Sequence, residues 1–258
     1  SYNPQGEFAR TTELIRPILR GRDIKRYGYD WADLYLIATF PAKHYDIEQY
    51  PAVKQYLLSF AKDDLLNAGY DWVVNDYLAD FCKQKLSQTG NFIEIKGKRI
   101  TLGTTPEKAR KRTNNKWFET QDSISYSDDF FKPKICWKAV GRNLTFAIVE
   151  AGTFLTAPAS FIQAGQDNEY LLAFLCSKVG RYFIFQNSDT TGAGDIMLNI
   201  QSLIKFAIPK DTQYKLQLSN YVLEQIKHYS QDTQNKIDSL IFGIYGLNAR
   251  EIKEVERC

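Results

Sequence analysis

The chain is poor in the residues that build metal centres and nucleophilic active sites. It has two histidines, His44 and His228, far apart in sequence. Its four cysteines, Cys82, Cys136, Cys176 and Cys258, contain no C-x-x-C pair. Without a Cys/His cluster a structural zinc site is not expected. A Ser/His/Asp set is not expected either: His44 sits in the loop text PAKHYD, and His228 falls on a solvated helix face. No signal peptide precedes the cysteines, so they read as reduced thiols of a cytoplasmic protein. No apolar run approaches the roughly 18 residues needed to span a bilayer, so no membrane partner is expected. The chain starts at Ser1 and Met197 is its one methionine, a pattern that predicts an excised or processed piece of a longer protein. Charge of one sign is missing as well. Thirty-three Lys and Arg face 30 Asp and Glu, and the net +3 says little about partners.

The local distribution of that charge says more. Between Lys96 and Lys116 stand Lys96, Lys98, Arg99, Lys108, Arg110, Lys111, Arg112 and Lys116, opposed by Glu107. Eight cations against one anion give this segment +7 where the whole chain has +3, so the remainder is net negative. A Thr/Asn/Gly-containing loop of such density fits a phosphate-tracking element. A second basic run, LIRPILRGRDIKR, carries Arg16, Arg20, Arg22, Lys25 and Arg26 against Asp23. Pro17 excludes a helix through its middle and Gly21 marks a turn. Its arginines suit phosphate contact from a loop or strand end, or simply a solvated basic face.

With 44% hydrophobic residues over 258 positions, the chain can bury a sizeable core. Residues 1–12 read as a polar tether, and Asp33–Phe40 as a buried strand. Pro51 opens an amphipathic helix over 51–67, stopped by Asn67-Ala68-Gly69, and a second helix covers 72–87. A hairpin spans 91–103. The stretch Lys116–Arg142 follows: aromatics Trp117 and Phe118, an acidic Ser/Tyr turn, Phe130-Phe131, and the strand KPKICWK. There Ile135 and Trp137 alternate with Lys134, Cys136 and Lys138, and Pro133 belongs at the strand start or on an edge. Trp117, Phe130, Phe131 and Trp137 are assigned to the core beneath this strand. Further strands are expected at Thr145–Glu150, Phe154–Thr156 and Ser160–Gln163. One helix capped by Asp167 is expected over 168–187, a loop over Ser188–Asp195, and extended chain at Ile196–Ile200 and Leu203–Pro209. Helices over 212–230 and 234–245 and a last one starting from the capping box at Asn248 complete the pattern. The expected fold is α+β: a body with a mixed or antiparallel sheet and packed helices over 1–210, then a small helical C-terminal region over 211–258.

Two patterns suggest catalysis and both are weak. Glu94-Ile95-Lys96 matches the E-x-K half of a Mg²⁺-dependent nuclease pattern, in which carboxylates hold the metal and the lysine polarises water. It lacks a partner aspartate on a neighbouring strand. Gly192-Ala193-Gly194-Asp195 lacks dinucleotide or P-loop spacing and reads as a loop.

In order along residues 13–256 stand IRPILRGRDIKRY, DLYLIATFP, YPAVKQYLLSF, KWFETQD, FFKPKICW, Ala157-Pro158, YLLAFLCSKVGRYF, IKFAIP and IDSLIFGIYGLNAREIKEVE. Together these resemble the C-terminal target-recognition (TaqI-like specificity) domain of type IIG restriction–modification enzymes. Such enzymes join a nuclease, an adenine-N6 DNA methyltransferase and this domain in one polypeptide. The resemblance implies recognition of double-stranded DNA without catalysis or cofactor in this chain. S-adenosylmethionine and Mg²⁺ would serve the methyltransferase and nuclease domains of the parent enzyme. The Asn-Pro-Pro-Tyr type tetrapeptide of the methyltransferase is absent, and the stretch 88–113 is longer and more basic than the family pattern. The expected DNA contacts are Arg20, Arg22, Lys25, Arg26, Lys96, Lys98, Arg99, Lys108, Arg110, Lys111, Arg112, Lys116, Gln121, Ser123, Ser125, Lys138 and Arg142. The alternatives are a Mg²⁺-dependent nuclease using Glu94 and Lys96, a type I specificity-subunit fragment, or a protein-docking module with a solvated basic loop.

Overall fold

The computed structural model describes residues 4–57, 92–95, 98–101, 115–116, 118–120 and 122–257, with the backbone alone for the two short strands at 92–101. The fold is α+β and its C-terminal region is helical. Two compact units divide the chain, residues 1–16 with 36–127 and residues 17–35 with 128–258.

The first unit opens with helix α1 (Pro4–Leu14), where the polar composition predicts a tether. An ordered partner explains the difference. The buried Glu7 carboxylate accepts the Ala52 N–H at 2.6 Å, at the start of helix α2 (residues 51–57), which leaves that orphan helix-end donor satisfied. The chain crosses between units inside strand β1 (Ile15–Leu19) and again inside strand β2 (Tyr35–Ile37). β2 is shorter than the strand expected over Asp33–Phe40, and Tyr35 is exposed. Ala38, Thr39 and Phe40 are the buried part, and Thr39 is held by Phe118 and Thr120: its hydroxyl donates to the Phe118 carbonyl at 2.6 Å. Leu14, Ile47, Tyr50, Val53 and Phe118 form the unit's core. The expected hairpin is present as β3 (Phe92–Ile95) antiparallel to β4 (Lys98–Thr101), with Glu94 opposite Arg99. The remainder of the 51–67 helix, the 72–87 helix, the loop over 102–114 and Trp117 lie outside the described residues.

The second unit is built around β5 (Lys134–Lys138). It is followed by β6 (Val140–Gly141), β7 (Phe146–Val149), β8 (Phe154–Leu155) and β9 (Ala159–Ile162). β5 is the central strand, antiparallel to both β7 and β9, with Ile135 opposite Ile148 on one side and Ile162 on the other. Both its faces are covered, so Lys134, Ile135, Cys136 and Trp137 are all buried and the expected polar face does not exist. Pro133 directly precedes the strand, where its missing donor costs no ladder bond. Lys134 is fully buried because its ammonium has carbonyl partners: Phe130 at 2.9 Å, Lys132 at 3.1 Å and Glu150 at 3.2 Å. Phe130 is in the core as expected, whereas Phe131 is 46% exposed.

The apolar text over 168–187 forms two helices, α3 (Asn168–Leu175) and α4 (Lys178–Asn187). Ser177 causes the break. Its hydroxyl donates to the Phe174 carbonyl at 2.7 Å and accepts the Gly180 N–H at 3.0 Å, closing one helix and capping the next. Asp167 holds the N-cap position of α3, but its side chain makes no capping bond. Its carboxylate pairs with Lys215 at 2.9 Å, and the Asn168 side chain accepts the Ala164 N–H. Residues 188–199 carry two-residue strands, β10 (Asp189–Thr190) and β11 (Ile196–Met197), around the glycine loop. β11 pairs with both β10 and β6. The segment expected to be extended near 203–209 starts instead as a helical turn, α5 (Ile200–Leu203), because Asn199 accepts the Ser202 N–H as a cap. Helices α6 (Lys215–Lys227), α7 (Gln231–Ile244) and α8 (Ala249–Glu256) follow, the last with the expected Asn248/Glu251 capping box.

These terminal helices do not form a separate body. Leu218, Val222, Ile237, Ile241 and Val255 share one hydrophobic core with Trp137, Phe146, Leu172 and Phe174. A boundary at residue 210 would cut through that core.

Candidate nucleic-acid interface

The basic run of residues 20–26 folds as a tight loop after β1. A short 3₁₀ turn spans Gly21–Asp23, and an isolated bridge joins Ile24 to Tyr29. Arg20 closes the turn: its guanidinium meets the buried Asp23 carboxylate at 2.7 Å and its N–H donates to the same group at 2.8 Å. This arginine beside Asp23 holds the carboxyl below its ordinary value. The pair makes Arg20 a structural residue of the loop. Arg22, Lys25 and Arg26 remain exposed.

Tyr27 fixes the loop from below. It lies in the left-handed region, at φ 67°, which a bulky side chain adopts only at a cost of roughly 1–2 kcal/mol. Three contacts hold it there. Its ring is buried, its N–H donates to the Phe146 carbonyl at 2.9 Å, and its hydroxyl donates to Gln234 at 2.7 Å. Burial pushes the Tyr27 phenol far above its ordinary pKa, so it stays a donor. Arg26 is thereby presented at the surface: its guanidinium donates to the Cys176 carbonyl and lies 5.7 Å from the Tyr27 ring centre and 5.9 Å from that of Tyr229.

Lys138, at the end of β5, connects this loop to the second basic element. A Cβ on Gly21 would stand 3.0 Å from Lys138 Cγ, and one on Gly141 would stand 3.4 Å from Lys138 Nζ. The lysine stem therefore runs across the face of both glycines, from the 20–26 loop to β6. Any larger residue at position 21 would displace it. Arg142 follows Gly141, is 80% exposed, and meets Asp195 of the glycine loop at a loose 3.7 Å. Arg26 and Arg142 line one pocket of about 550 Å³, together with Lys178 and Arg181 of α4. Sequence reasoning missed the last two, because they fall inside a helix whose apolar periodicity dominates the text.

The other expected contacts are placed separately. Lys116, Ser123 and Ser125 are exposed residues of the first unit. The Lys116 ammonium lies 5.6 Å from the Phe118 ring centre. Lys98 and Arg99 are on β4, described by backbone alone. Lys96, Lys108, Arg110, Lys111, Arg112 and Gln121 lie outside the described residues.

Among the described residues no group of three or more His, Cys, Asp or Glu side chains could hold a metal ion. The thiols of Cys136 and Cys176 are buried, and burial pushes each up to about 12, which leaves them unreactive near neutrality. Among the described residues, no helix is long and apolar enough to cross a membrane. No known protein family matches the chain, and no curated protein resembles it closely enough to count as a relative.

Proposed function

We propose that this chain is a DNA target-recognition domain that binds duplex DNA and performs no chemistry of its own. The observation that carries the reading is the meeting of two basic segments distant in sequence. Lys138 lies beside both Gly21 and Gly141, and Arg26 and Arg142 line one pocket. These cations have exposed heads on rigid supports, a loop locked by the Arg20–Asp23 pair and a strand end. Such cations fix register and affinity on a phosphate backbone, while neighbouring amides and hydroxyls read base edges. Lys116, Ser123, Ser125 and the cations between Lys96 and Arg112 give the first unit polar and basic groups of its own for phosphates and base edges.

In this reading the chain directs methyltransferase and nuclease domains outside it, which would use S-adenosylmethionine and Mg²⁺, in the cytoplasm. The ordered resemblance to type IIG specificity domains supports the same assignment. Selection of bound duplexes from a random pool tests it. Enrichment of one short sequence is expected. Binding with no sequence preference, equal on duplex and on heparin, would contradict it and point to a docking module.

A further inference from the structure

Three arginines from three elements line the pocket of about 550 Å³ in the second unit: Arg26 from the 20–26 loop, Arg142 from the turn after β6, and Arg181 from α4. A guanidinium has five N–H donors, and each of these keeps some for a ligand. Arg26 donates to the Cys176 carbonyl and is steadied by the Tyr27 and Tyr229 rings. Arg142 is 80% exposed and meets Asp195 at 3.7 Å, beyond hydrogen-bond distance. Arg181 is exposed and makes no ion pair among the described residues.

The other charges of the pocket are already committed. The Lys178 ammonium pairs with Glu256 at 2.8 Å. Its backbone N–H, at the start of α4, donates to Asp238 at 2.8 Å. That carboxylate is 2% exposed and the Gln234 side chain serves it as well, so it offers a ligand nothing. Three guanidiniums against one buried, engaged carboxylate leave the pocket electropositive, and the exposed Asn143 adds a neutral donor at its rim. A ligand carboxylate has two oxygens in one plane, which a single guanidinium fork satisfies. A phosphate turns oxygens in several directions and can take donors from three elements at once. The volume exceeds what a lone ion fills and suits a phosphate carried on a larger body.

We propose that this pocket is a phosphate-binding site, in which one phosphate group is held by Arg26, Arg142 and Arg181 with Asn143 donating from the rim. That chemistry has two sources, a backbone phosphate of DNA or a free phosphate compound. The first deepens the duplex-binding reading and rests on it: α4 joins the 20–26 loop and the β6 turn in fixing the register of the backbone, without reading bases. The second stands whether or not the chain binds DNA.

The test measures duplex binding of the full chain against salt, on the selected sequence and on an unrelated one, with pyrophosphate titrated in parallel by calorimetry. The chains compared are wild type, Arg181→Ala, Arg181→Lys and Arg250→Ala, the last an exposed position of α8 outside the pocket lining. For a backbone phosphate, Arg181→Ala should weaken both duplexes alike, by about tenfold near 0.1 M salt, with a salt slope smaller by about 1. Arg181→Lys should restore the slope, and Arg250→Ala should leave it unchanged. For a free phosphate compound, pyrophosphate should bind the wild type saturably and Arg181→Ala about tenfold more weakly, while the duplex slope stays the same. Either result supports the site. Alanine at this exposed helical position is expected to fold, and Asn143→Asp, which sets a carboxylate at the rim, should weaken the same ligand independently. Pyrophosphate binding and duplex slopes both indifferent to Arg181→Ala, or a slope lowered as much by Arg250→Ala, overturn the site. A wild-type chain that binds no duplex sinks the DNA reading instead, and pyrophosphate then decides the pocket by itself.

Discussion

Lys134 and Tyr27 show how much of the second unit depends on single polar atoms. The Lys134 ammonium satisfies three carbonyls around the turn before β5, and burial lowers its pKa. Lys134→Met leaves those carbonyls without a donor, and denaturant unfolding should show a loss of about 3 kcal/mol. Tyr27→Phe removes only the hydroxyl that Gln234 accepts from, and the same measurement should show about 1–2 kcal/mol. Asp238 works in the opposite sense. Burial raises its pKa in the folded state above the ordinary carboxylate value, against the pull of Arg26 and Lys178. The folded state then binds the proton more tightly than the unfolded chain, so stability falls as pH rises through that window. Asp238→Asn should raise the unfolding midpoint at neutral pH, and the gain should vanish in acid below the ordinary carboxylate range, as thermal melts across pH would record.

The junction between α3 and α4 sets the wall of the pocket, since it places Arg181 and the Lys178 N–H that donates to Asp238. Gly180 permits it. A Cβ there would stand 2.1 Å from the Phe174 carbonyl oxygen, a contact that cannot be relieved without moving backbone. Gly180→Ala should therefore cost about 2 kcal/mol or more and lower the melting midpoint well beyond a simple helix-propensity change. Periodicity read this region as one helix because Leu171, Leu172, Phe174, Leu175, Val179 and Ile184 keep an apolar face across the break. The signal for the break was Ser177, whose hydroxyl competes with the helical backbone. Conversely, the α8 capping box and the β3–β4 hairpin were legible, because both are specified by residues within a few positions of one another. The 20–26 loop was legible as a turn, but not the burial of Asp23 or the contacts that hold Tyr27. Those depend on partners at Phe146 and Gln234, which local text does not encode.

At the scale of the molecule, sequence composition suggested a body and a tail, whereas packing joins them. Helices α6 to α8 bury Leu218, Val222, Ile237, Ile241 and Val255 against the sheet and α3. A chain ending at residue 210 should fail to fold cooperatively, and circular dichroism melts of that truncation should show no sharp transition. Charge is the other molecular property, and it is distributed unevenly: a net +7 between Lys96 and Lys116 and a second basic surface around Lys138. Were both to bind phosphates, affinity would follow counterion release. The most direct measurement is the slope of log binding constant against log salt for a duplex carrying the selected sequence, read for the wild-type chain and for the Arg22→Ala, Lys25→Ala, Arg142→Ala triple variant. The account predicts a steep linear decline for the wild type and a slope smaller by about 2–3 for the variant. An absence of binding at low ionic strength, or an identical slope for both chains, would contradict it.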